Sequence, residues 1–133
     1  MKKTEIEINN LTSNEVDKIF LKKVAEKTLS LIKFCIPEIS IVLAGDAKMK
    51  VLNRKHKKSD RVTDVLSFDY GEIVICLPQA QRQAKELKHS LKKELGILLI
   101  HGILHLAGYN DIAKKDYLKM TKKQEELWQK ITL

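Results

Sequence analysis

From Leu95 to Gly108 the chain carries no Asp, Glu, Lys or Arg, and only His101 and His105 interrupt its apolar character. A segment like this must be buried, and it is too short to span a bilayer. The spacing predicts a helix from Leu91 to Leu106, the most buried element of the fold. Gly108 is its natural stop, because glycine tolerates the left-handed conformation that ends a helix and reverses the chain. The rest of the chain has to supply the surfaces that cover this helix.

Those surfaces can be read in order. Glu5-Ile6-Glu7-Ile8 alternates as a half-buried strand does. Thr12-x-x-Glu15 has the form of a capping box opening a helix, followed by Val16, Ile19, Phe20, Val24 and Ile32 at helical spacing, with Pro37 closing the segment. Ile39 to Leu43 reads as a second strand ended by Gly45, and Asp46 as the cap of a brief helix through Met49 and Leu52. Asn53 to Val62 reads as a basic loop. Asp64–Phe68 and Glu72–Leu77 form two strands around a tight turn at Tyr70-Gly71. Pro78 suits the first turn of a helix running to about Ser90. A last helix from about Ala113 places Tyr117, Met120, Leu127, Trp128 and Ile131 on one face, a stripe that fits a core better than a ligand box. With 133 residues, 44% of them hydrophobic, the chain is expected to form one domain, residues 1–133. The predicted class is α+β: a small mixed sheet of about four strands, helices packed against it, and the histidine helix central.

His101 and His105 stand four apart, so on a helix both imidazoles lie on one face, about 5–6 Å apart at Cβ, and can reach one ion. Gly108 then lets the chain turn back, and Asp111 stands three residues further on. His-x-x-x-His-x-x-Gly-x-x-Asp is a three-ligand pattern with a built-in turn, leaving a fourth position for a catalytic water. The competing reading makes both histidines neutral core residues hydrogen-bonded to backbone or water. His56 and His89 have no such context and read as ordinary surface residues. Zinc peptidases of the His-Glu-x-x-His type use the glutamate as general base; Gly102 occupies that position here, and no side chain can be named as general base.

Charge narrows the partners. The 25 Lys and Arg against 17 Asp and Glu give a formal net charge of +8, which favours polyanions and makes their binding salt-dependent. Basic residues concentrate in Lys48, Lys50, Arg54, Lys55, Lys57, Lys58 and Arg61, with Asp60 the one acidic residue from Lys48 to Arg61. This stretch is either a loop that holds a nucleic-acid backbone or a solvated loop that owes its lysines to composition; no RNP-type aromatic platform is evident, so any RNA would be held by backbone and shape. Cys35 and Cys76 form no C-x-x-C pair, and Cys76 reads as a buried small hydrophobe. The lysines of MKKTEIEINN lack an apolar h-region behind them, so no signal peptide or membrane association is expected, and the location expected is cytoplasmic.

HGILHLAGYND, with the upstream LNRKHKKSDRVTDVLSFDYGEIVI and the downstream Met120-x-x-x-x-Glu125, resembles the YbeY family of bacterial rRNA maturation endoribonucleases. The similarity runs from about Ile39 into the last helix, and its most specific blocks are Thr63–Phe68 and His101–Tyr109. The resemblance implies one α+β domain, one zinc ion per chain, and a single-strand-directed endoribonuclease that matures 16S rRNA precursor at the ribosomal small subunit in the cytoplasm. It places metal ligands at His101 and His105. The third falls on Asp111, where the family usually has histidine, and Asn110 replaces its usual aspartate. Aspartate is an acceptable zinc ligand, but shorter and harder than imidazole, which would alter affinity and metal preference. The family's arginine before the Thr-Asp/Asn-Val-Leu-Ser-Phe block aligns with Lys57, which keeps the charge without the bidentate fork; Arg54 and Arg61 are the other candidate RNA contacts. The catalytic expectation is a metal-bound water at His101, His105 and Asp111. Two alternatives stand beside it: a metallopeptidase-like hydrolase, and a non-catalytic ribosome-assembly factor with structural zinc.

Overall fold

The computed structural model describes residues 3–57, 63–109 and 113–132, with the backbone alone of Lys57. Alternation along β1 (Glu5–Asn10) packs Ile6 and Ile8 against the core. The strands β2 (Glu38–Ala44) and β4 (Glu72–Cys76) are apolar on both faces, as interior strands must be. Their Ile39, Ile41, Leu43, Ile73 and Ile75 enter a large core cluster, while Ala44, Val74 and Cys76 enter a smaller one. The sheet order is β1-β2-β4-β3, with β1, β2 and β4 parallel and β3 (Val65–Phe68) antiparallel to β4. The hairpin turns through Asp69-Tyr70-Gly71, where Gly71 N–H donates to Phe68 O at 2.8 Å.

Helix α1 (Lys18–Ile32) links the parallel pair β1 and β2, and Leu21, Val24, Ala25 and Leu29 join the large cluster. The smaller cluster includes Met49 of α2 (Asp46–Lys57). Helix α3 (Leu77–Leu87) begins with proline in its first turn, and α4 (Leu91–Leu106) follows, capped by Ser90, whose hydroxyl accepts from Lys93 N–H at 3.0 Å. The last helix is α5 (Lys114–Thr132). Helix α4 packs against α1, α3, α5, β3 and β4, so the expected mixed sheet with a central histidine helix is what forms. Among the described residues no helix is long and apolar enough to cross a membrane.

Four local expectations are corrected. Thr12 does not cap α1: its N–H and hydroxyl both bond Asn10 Oδ1, at 3.0 and 2.6 Å, which commits them to a turn. Asp17 caps instead, accepting from Phe20 N–H at 2.9 Å, and that bond holds its carboxyl below the usual range. Val16 and Leu21 then occupy the hydrophobic-staple positions. Asp46 is the first residue of α2 rather than its cap, because its carboxylate bridges to Arg82 of α3 at 2.9 and 3.1 Å, and Gly45 O accepts the first helical bond. That same guanidinium keeps the Asp46 carboxyl below its ordinary range. Residues 53–57 are helical, not loop; they lack Gly and Pro, and Asn53 is buried one turn after Met49. Tyr117 leaves the core face of α5, although Met120, Leu127 and Ile131 are buried on it. Cys76 is buried as expected, and burial pushes its thiol up to about 11.

Candidate active site

Helix α4 carries both histidines on one face at the end nearest β3. Their Nε2 atoms lie 3.0 Å apart, with the rings edge to face. The other ring nitrogen of His101, Nδ1, is bonded to Gln124 Oε1 of α5. A carboxamide oxygen only accepts, so Nδ1 carries the hydrogen and the His101 lone pair sits on Nε2, facing His105. Two nitrogens on one tetrahedral ion, each at about 2.0–2.1 Å, stand roughly 3.3 Å apart. The observed pair is a few tenths of an ångström short of that. The donor set fits a divalent transition ion with a small side-chain adjustment.

Helix α4 ends as its sequence predicts. Gly108 adopts φ 100°, its N–H donates to His105 O and Tyr109 N–H donates to Leu104 O, both at 3.0 Å. That paired closure is the Schellman form of helix stop. Asn110, Asp111 and Arg61 lie outside the described residues, as do Lys58 and Asp60, and so does the side chain of Lys57. Among the described residues no third His, Cys, Asp or Glu completes a metal-ligating cluster with the pair. Arg54 is exposed on α2, as are Lys48, Lys50 and Lys55.

The histidines open on a cavity of about 300 Å³ that is also lined by Thr63 and Asp64, by Val65 to Ser67 of the edge strand β3, and by His56 and Asp69. A second depression of about 410 Å³ lies between α4 and α5, and Asp64 and His101 line both. Asp64 is held by two bonds: its Oδ1 accepts from Val65 N–H at 2.8 Å and its Oδ2 from Gln83 Nε2 at 3.3 Å. Gln83 Nε2 also donates to the buried Glu94 at 2.7 Å, and His89 Nε2 meets the other Glu94 oxygen at 2.7 Å. His56 is exposed, as expected, and borders the cavity; His89 is not the ordinary surface residue expected, since it satisfies a buried carboxylate.

Gly102 has a packing reason as well as a chemical one. A Cβ there would lie 2.8 Å from Ile73 Cγ2 and 3.2 Å from Ser67 Oγ, and the Ser67 hydroxyl donates to Gly102 O at 3.0 Å. Position 102 therefore faces the sheet. A glutamate in this place would be driven into β4 and away from the cavity, so the peptidase base is missing from both sequence and geometry.

A sequence profile described as Endoribonuclease YbeY matches residues 2–132. This chain belongs to that family. Relatives named Endoribonuclease YbeY include one from Sulfurihydrogenibium sp., 36% identical over 98% of this chain and 94% of its own length. Another, from Helicobacter pylori, is 38% identical over 92% of this chain and 87% of the relative. A protein of Thermotoga maritima, solved in solution, superposes with a TM-score of 0.64 at 31% identity, covering 94% of this chain and 90% of the other. YbeY membership spans nearly the whole chain, so the sheet, α4 and the histidine cavity all lie within the matched region.

Proposed function

We propose that this chain is a zinc-dependent endoribonuclease that cuts single-stranded segments of small-subunit (16S) rRNA precursor during ribosome assembly. Endoribonuclease activity goes with the family, whose profile and relatives carry that name. One observation carries the metal: two Nε2 atoms 3.0 Å apart, with the far nitrogen of His101 tied to Gln124 so that its lone pair faces its neighbour. In this reading His101, His105 and Asp111 hold one zinc ion per chain. When bound, the ion supplies Lewis-acid polarisation of the phosphodiester. The chain's own residues do the rest. Gln124 fixes the His101 tautomer, in the manner of an outer-sphere partner. Lys57, Arg54 and Arg61 are the contacts to the RNA backbone in this reading, and such contacts position without reading sequence. The site works on ribosomal precursor in the cytoplasm.

Metal content and cleavage test this together. His101→Ala and His105→Ala should each lose the equivalent of zinc that the wild type carries, measured by elemental analysis. Asp111→Ala and Asp111→Asn should lose affinity steeply, whereas Asp111→His should bind at least comparably with a changed metal preference. Cleavage of rRNA precursor should vanish on chelation, with unstructured protein left intact. Wild-type metal content in both histidine variants sinks the site. Metal-replete protein that leaves precursor uncut sinks the nuclease.

A further inference from the structure

A row of aromatic rings starts at the cavity beside the histidines. The ring of His56, on α2, lies 4.7 Å from that of Phe68 at the end of β3, and His56 also borders the cavity. Phe68 lies 5.7 Å from Tyr70 with the planes only 25° apart, a stacked pair. Phe68 is backed by the small core cluster, whereas Tyr70 is 73% exposed. The Tyr70 hydroxyl donates to Glu72 Oε1 at 3.0 Å, which fixes the ring at its rim. An exposed ring held by a stacked neighbour and a rim bond presents a flat, ordered apolar face without needing to rearrange.

We infer that His56, Phe68 and Tyr70 form a stacking platform for an unpaired base of the RNA strand whose backbone lies in the histidine cavity. This rests on the ribonuclease reading above. Charge identifies the occupant. Helix α2, which carries His56, exposes Lys48, Lys50, Arg54 and Lys55 toward solvent, a surface suited to phosphates. Beyond Tyr70 the sign reverses: Glu5, Glu7, Glu38 and Glu72 border the next depression. Phosphates are attracted along α2 and repelled past Tyr70, so the strand ends its contact at that ring. Stacking on a π face tolerates any base, which suits a nuclease that reads little sequence. It also discriminates against duplex, whose bases are already stacked on their neighbours.

Zinc-loaded protein and a 2′-O-methyl RNA oligonucleotide bearing one 2-aminopurine test the platform, with the same oligonucleotide annealed to its complement as the duplex. Wild type should quench the probe in the single strand. Tyr70→Ala should abolish the quenching and weaken single-strand binding by roughly five-fold or more, the range for loss of one stacked base, with duplex binding unchanged. Tyr70→Phe keeps the ring and should retain the quenching and most of the affinity. The exposed position leaves folding intact in both variants. Unchanged single-strand affinity in Tyr70→Ala, or equal losses for single strand and duplex, overturns the platform while cleavage by the wild type leaves the ribonuclease reading standing. Wild type that neither binds nor cuts RNA overturns both.

Discussion

Gln124 decides which nitrogen of His101 faces the cavity, and it does so from a different helix. Gln124→Leu keeps the bulk and removes the acceptor, so the imidazole loses the bond that sets its tautomer. Zinc affinity, measured by chelator competition, should fall about 10–100-fold, the usual effect of removing an outer-sphere partner, while the fold persists. Gln124→Glu keeps an acceptor and should keep the affinity; equal affinity in the leucine variant would leave Gln124 a packing residue. The sequence reveals His101 and His105 because residues four apart share a helix face. Gln124 lies 23 positions from His101, where no local period marks it. His89 escaped for a related reason. Its partner Glu94 looks like a surface charge until the packing of α3 on α4 buries it.

At the scale of elements, the approach of α4 to the sheet runs through Gly102. Gly102→Ala gains up to about 1 kcal/mol of helix propensity. Against that, the new methyl would sit 2.8 Å from Ile73 Cγ2, well inside van der Waals contact. Overpacking of this kind costs roughly 1–3 kcal/mol and should win, lowering the denaturation midpoint. Adding Ile73→Val removes Cδ1, 3.3 Å from the same point, but keeps Cγ2, so it should recover little of the loss. An alanine variant as stable as wild type would mean that helix and sheet separate easily. Two helix ends carry the opposite opportunity. Lys33 and Lys88 close α1 and α3 at φ 55° and 56°, a region that disfavours a side chain. Lys33→Gly and Lys88→Gly should each stabilise by a few tenths of a kcal/mol, since relief of the left-handed strain slightly exceeds the entropy glycine gains on unfolding. Gly108 was legible as a stop because it is glycine; these lysines were not, because only the closing hydrogen bonds impose their conformation. The length of α2 was hidden likewise, its lysines reading as loop until Asn53 was seen to be buried.

Across the whole molecule, charge and topology act together. The net charge of +8 favours polyanions, and α2 exposes Lys48, Lys50, Arg54 and Lys55 on the helix that carries His56. Replacing Lys50, Arg54 and Lys55 with glutamine should weaken single-stranded RNA binding across sequences. If all three meet phosphates, the slope of log affinity against log salt should flatten by about 2. An unchanged slope would make these side chains a solvated face. The α+β class was readable because each strand and helix announces its own period. The order β1-β2-β4-β3 was not, since the parallel pairing of β2 with β4 depends on contacts distant in sequence.

His101 and Asp64 form a shared wall between two depressions, and only one of those faces the RNA in our account. The other, between α4 and α5, reaches the same imidazole from behind, through Gln124. A small molecule lodged there would inhibit by turning a ring rather than by competing for substrate. Its potency would be indifferent to RNA concentration, whereas added zinc would oppose it, because a turned ring is a lost ligand.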